Sequence, residues 1–138
     1  MRKLTLLLAV ASLALGACQA FEAQPKTTLP PANAHPSDIV AAYLQSLVDG
    51  DCAKARALTT QEELSIQRPL CDEPRVTGFS ELSCQGSCGD PPEAIYAVEL
   101  TIHGASAVGL PEGANPMRIQ VVFLPAGMWR VNNITKAP

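Results

Sequence analysis

Residues 38–60 read DIVAAYLQSLVDGDCAKARALTT, and this stretch decides how the fold begins. Ile39, Val40, Tyr43, Leu44, Leu47 and Val48 recur at the three-and-four spacing that lines one face of a helix. Ser37 is placed to cap that helix, with Asp38 in the first turn where the helix dipole favours a negative charge. Gly50 is a good stop, because glycine adopts the left-handed conformation that ends many helices. Asp51 then opens a second short helix, from Cys52 to about Leu58, with Lys54 and Arg56 on its wet side. Thr60 and Glu63 have capping-box spacing for a further turn, which Pro69 is expected to end.

Downstream the periodicity changes from helical to alternating. Val76 to Cys84 reads as a first strand, interrupted by Gly78. Ile95 to His103 alternates cleanly, with Tyr96, Val98, Leu100 and Ile102 on one face and Glu99, Thr101 and His103 on the other. Met117 to Leu124 is apolar on both faces beyond Arg118 and Gln120, which suits a central strand. Pro125-Ala126-Gly127 is a turn, and Met128 to Thr135 returns with Trp129 and Val131 on one face, Arg130 and Asn132 on the other. Helices followed by strands predict an α+β domain over residues 37–138, with N-terminal helices packed on a curved antiparallel sheet of about four strands. Gly104 to Pro116 reads as a flexible loop.

Upstream of residue 37 the composition is different. Residues 19–36 read QAFEAQPKTTLPPANAHP, with four prolines and no periodicity, an extended spacer able to reach roughly 55 Å at ~3.1 Å per residue. His35 within it reads as an exposed linker residue. Met1-Arg2-Lys3 is a basic start, followed by an apolar run from Leu4 to Leu15 that falls short of the roughly 20 residues a spanning helix needs. It suits an export signal. The run ends Leu15-Gly16-Ala17-Cys18, which resembles the lipobox of bacterial lipoprotein signals. That resemblance implies cleavage after residue 17 and a lipidated Cys18, so that residues 1–17 are the signal and 18–36 the lipidated cysteine and tether. It also implies a chain held to a membrane, outside the cytoplasm, by acyl groups such as palmitate. Gln19 follows the cysteine, not the Asp that retains many such proteins at an inner membrane, so the outer membrane is favoured where there are two. Otherwise the outer face of the cell membrane is the expected address.

The whole chain has 138 residues, five cysteines and a formal charge of −3. Without the first 17, which hold Arg2 and Lys3, eight basic residues face thirteen acidic ones, a balance of −5. That argues against a nucleic-acid partner, since such surfaces carry a basic excess. Setting Cys18 aside, Cys52, Cys71, Cys84 and Cys88 remain. An even number in an exported domain reads as two disulfides with three possible pairings. The short Gln85-Gly86-Ser87 turn favours Cys84–Cys88, which leaves Cys52–Cys71. By the chain-entropy argument these contribute ~2 and ~3 kcal/mol. A four-cysteine zinc site lacks the close knuckle spacing, and Cys84-x-x-x-Cys88 is not the C-x-x-C of thioredoxin-like chemistry.

The 38–60 segment, with its helix ending at Gly50-Asp51 and an Ala-rich helix after it, resembles the opening of the nuclear-transport-factor-2-like, or cystatin-like, superfamily. The aromatic-x-Val pattern of Trp129-Arg130-Val131 is similar to the strand that closes that fold. The resemblance implies a cone-shaped α+β domain, in a family that holds isomerases, dehydratases, binding domains and exported proteins. A pocket in such a cone would draw on Tyr43, Glu99, His103 and Trp129, with Glu99 and His103 sharing a strand face as a conceivable acid–base pair. The family's catalytic Asp and Tyr positions do not map onto this chain. No nucleophile elbow, phosphate loop or H-E-x-x-H motif is present, and no cofactor or metal is expected.

The expectation is therefore a non-catalytic, lipid-anchored envelope domain that binds a small ligand or an envelope partner, through the concave sheet face or the 104–116 loop. The competing expectations are an isomerase- or dehydratase-type enzyme and an inhibitory protein acting by surface contact. The intact mass of the mature chain tests the anchor and the disulfides together. A lipid-sized increment on a chain starting at Cys18 is expected, with a gain of about 4 Da on reduction of two disulfides. An unmodified thiol at residue 18 would overturn the anchor.

Overall fold

The computed structural model describes residues 28–60, 70–71, 76–104 and 109–138. The lipobox, Cys18, most of the tether and Glu63 lie outside the described residues. Helix α1 spans Pro36–Val48 and helix α2 Cys52–Ala57. Among the described residues four strands follow: β1 Val76–Gln85, β2 Glu93–Ile102, β3 Gly113–Leu124 and β4 Met128–Lys136. They form one antiparallel sheet in the order β1-β2-β3-β4, an α+β architecture with a curved, unclosed sheet.

Helix α1 begins two residues before the expected start, at Pro36 instead of Asp38. Pro36 occupies the first helical position, where its missing N–H costs nothing and its fixed φ suits the helix. The cap therefore falls on His35, whose Nδ1 accepts from the Ser37 backbone N–H at 3.3 Å, and Ser37 is not the capping residue. Ala34 is buried in the core, so the packed unit reaches back before residue 37. At the other end Gly50 takes φ 64°, as the stop requires, and Asp51 caps α2 by accepting from the Lys54 N–H at 3.1 Å.

The apolar face of α1 crosses the sheet and touches all four strands, the edge strands β1 and β4 most. A sheet that meets a helix at both edges must curve around it. Register shifts supply the bend: one between Val76 and Gly78, one between Ser80 and Ser83, and one beside Val121 that leaves Asn132 as an extra residue in β4. Tyr43, Leu44 and Leu47 are completely buried in the same cluster as Met117, Ile119 and Val121 from β3. Strand β2 alternates as expected, with Ala94, Tyr96, Val98, Leu100 and Ile102 buried on the helix-facing side.

One expectation is corrected by the strands. The 104–116 segment is not all loop, because β3 already begins at Gly113 and Leu110 is buried. Asn115, also buried, donates from its amide nitrogen to the carbonyls of Pro111 and Gly113, both at 2.9 Å, and so folds the entry to the strand onto itself. The expected turn through Glu63 and its stop at Pro69 lie outside the described residues; Leu70 and Cys71 are helical and buried.

Both expected disulfides are formed, Cys52–Cys71 with Cα atoms 5.4 Å apart and Cys84–Cys88 with 5.8 Å. The end of α2 is also pinned to β4. The Val131 N–H donates to the Leu58 carbonyl and the Thr60 N–H donates to the Val131 carbonyl, each at 2.8 Å.

Adjacent residues of β2 make opposite predictions. Leu100→Ala, at a fully buried site, is expected to cost about 2–5 kcal/mol. Thr101→Ala, on the exposed face, should stay within about 0.5 kcal/mol. Urea unfolding of the two variants checks this, and similar losses would contradict the face assignment.

Candidate functional site

The four residues considered for a pocket are not brought together. Tyr43 and Trp129 belong to the closed core under the sheet, with Tyr43 completely buried. Glu99 and His103 point to the opposite side of β2. The His103 side chain is 81% exposed, with Nδ1 3.7 Å from the similarly solvated Glu112 carboxylate. Such a pair is screened by water and does not build a site. The helix-facing side of the sheet is occupied by apolar side chains, so Trp129 packs instead of lining a cavity. Its ring stacks at a tilt on Phe123, opposite it on β3, with centroids 5.2 Å apart.

The polar organisation lies on the uncovered face. Gln120, on β3, donates through Nε2 to the Glu93 carboxylate of β2 at 2.6 Å. Asn132, the extra residue of the β4 bulge, donates through Nδ2 to Gln120 Oε1 at 3.2 Å. Thr60 in turn donates its hydroxyl proton to Asn132 Oδ1 at 3.1 Å. The four side chains form a continuous ladder across three strands and onto the segment after α2. Because each amide uses one end as donor and the other as acceptor, the ladder has a fixed direction and fixed rotamers. Half-buried Arg130 sits on β4 and donates from Nη1 to the Trp129 carbonyl at 2.7 Å. Burial lowers its pKa, yet a guanidinium remains a cation at neutral pH.

Among the described residues, two of the clefts open near this face. The larger, about 300 Å³, lies at the β1–β2 turn and is lined by residues that include Gln85, Ser87, Asp90, the prolines 91 and 92, and Glu93. Glu93 is thus shared by the cleft and the ladder. The smaller, about 120 Å³, runs between Ser83, Ala97, Glu99 and Pro116. Neither is lined by Tyr43, His103 or Trp129. Among the described residues no three His, Cys, Asp or Glu side chains converge as a metal site.

Alternation along β3 and β4 already placed Gln120 and Asn132 outside the core, but not against each other. Their meeting depends on the bulge, and the Thr60–Asn132 contact joins residues 72 apart in the chain. No protein-family model matches this sequence, and no curated protein matches it either.

One buried group carries a pH dependence. Tyr96 lies on the core face of β2, where burial raises its pKa; the Ser37 side chain nearby offsets part of this and Asp38 adds to it. In the unfolded chain the phenol ionises near pH ~10, whereas in the folded domain it holds its proton to higher pH. The unfolded state therefore binds fewer protons there, and stability falls as pH rises through ~10. Tyr96→Phe should make this alkaline decline shallower. Urea unfolding from about pH 8 to about 11 checks it, and parallel declines would refute it.

Proposed function

We propose that this protein is an exported lipoprotein, anchored through Cys18, whose α+β domain works by binding an envelope partner and not by catalysis. The observation that supports this most is the separation of the reactive side chains. Tyr43 and Trp129 are closed into the core while Glu99 and His103 face solvent across the sheet, so an acid–base pair and a substrate cavity do not coincide. An isomerase-type relative would require them to converge. In the nuclear-transport-factor-2-like reading of the fold, the cone interior is filled by α1, and the domain presents its surface instead. That favours contact with a partner over enclosure of a small ligand.

The surface best suited to contact is the uncovered sheet face, where the Glu93–Gln120–Asn132 ladder holds polar groups in fixed positions beside exposed Arg118. Fixed groups lose little freedom on binding, which lowers the entropic cost of association. The tether supplies reach from the membrane. The outer membrane is the proposed address in a double-membraned cell, and the outer face of the cell membrane in any other.

Two arms test the proposal. Cys18→Ala should move the chain from the membrane to the soluble fraction, and retention of the variant in washed membranes would overturn the anchor. In the second arm, fractionated envelope extract is expected to raise the melting temperature of the wild-type chain. Arg118→Glu should abolish that shift without lowering the unliganded melting temperature. If no fraction shifts the wild type, or the variant shifts equally, binding through this face is wrong.

A further inference from the structure

The two disulfides stand in different surroundings. Cys52 and Cys84 are both half-buried against the core, but their partners differ: Cys71 is 2% exposed. Cys84–Cys88 stands at the end of the β1–β2 hairpin, with Cys88 and the intervening Gln85, Gly86 and Ser87 all exposed. Exchange requires a thiolate to reach a disulfide sulfur, so access separates the two bridges kinetically.

The loop closed by Cys84–Cys88 is also in contact with the place where the tether enters the domain. Gly89, just past the bridge, has φ 112°, and a Cβ there would lie 2.7 Å from Nε2 of His35. The Gly89 backbone therefore lies close against the imidazole. The other ring nitrogen, Nδ1, holds the Ser37 N–H and lies 2.8 Å from the Ser37 hydroxyl. The His35 carbonyl accepts from the Asp38 N–H at 2.9 Å, and the neighbouring Ala34 N–H is bonded to the Pro31 carbonyl at 2.9 Å. One ring thus stands between the disulfide loop and the first turn of α1. Gln85 and Ser87, inside the loop, wall the larger cleft.

We propose that Cys84–Cys88 is a redox latch on this joint, opened by a dithiol reductant of the cell envelope, while Cys52–Cys71 stays closed and keeps the core intact. A thiolate of the dithiol attacks the exposed Cys88 sulfur, the disulfide bond breaks, and Cys84 leaves as a thiolate that takes up a proton. The second thiol of the dithiol then attacks its partner sulfur in the mixed disulfide, and Cys88 leaves and is protonated. Two electrons and two protons pass to the cysteines, and the dithiol becomes a disulfide. The freed loop withdraws Gly89 from His35, loosens the 31–38 segment and widens the cleft. The hinge between tether and domain thereby responds to the redox state outside the cytoplasm, whichever partner the sheet face binds.

The test is a dithiothreitol titration of the full chain, quenched by alkylation, with peptide mass spectrometry and hydrogen exchange on the same samples. Cys84 and Cys88 should be alkylated at reductant concentrations about tenfold or more below those that open Cys52–Cys71. At that stage exchange at the amides of Ala34, Ser37 and Asp38 should accelerate several-fold, β2 and β3 should keep their protection, and reoxidation should reverse the change. Opening of Cys52–Cys71 first or in step, or unchanged exchange at those three amides, overturns the latch. The Cys84→Ser/Cys88→Ser chain is expected to show the loosened joint without reductant, and native protection there would equally overturn it. The titration uses the native chain, so its outcome does not depend on the variant folding.

Discussion

Helix α1 and the sheet depend on each other. A helix of 13 residues is marginal alone in water, and a sheet with one apolar face must bury that face against another element. Packing Tyr43, Leu44 and Leu47 into the concavity of the sheet, in one cluster with Met117, Ile119 and Val121, satisfies both at once. The curvature this demands comes from bulges in β1 and β4, and the bulge in β4 is what frees Asn132 to turn outward. The same constraint that closes the core therefore shapes the exposed face.

That closure has a consequence for chemistry. The helix in the concavity closes Tyr43 into the core, while Glu99 and His103 lie on the far side of β2. On that far side the polar side chains hydrogen-bond to one another in sequence from Thr60 to Glu93, and Glu93 also lines the larger cleft. The two disulfides and the Leu58–Val131 bonds hold this shape with a small core.

The parts legible in the sequence were those set by local periodicity. The buried face of α1, the stop at Gly50, the Asp51 cap and the alternation of β2 each follow from residues within a turn or two of one another. So does the Cys84–Cys88 pairing, which a turn of three residues makes short. The His35 cap was not legible, because a histidine after a proline-rich stretch carries no helical signal until Pro36 is seen as the first helical residue. Nor was the early start of β3, where Gly113 and Pro116 look like loop residues and only the pairing with Ile102 and Glu99 makes them strand.

The sequence alone determined which faces must leave water, since the helical stripe and the alternating strands follow from hydrophobicity at a fixed period, and the even count of domain cysteines determined that they pair. Only the tertiary structure decided which polar residues meet. Glu93, Gln120, Asn132 and Thr60 come together through strand register and one extra residue in β4, and His35 comes to Gly89 through the docking of α1 on the hairpin end. Hydrophobicity is a property each residue carries by itself, whereas a contact between distant residues depends on the geometry of everything folded between them.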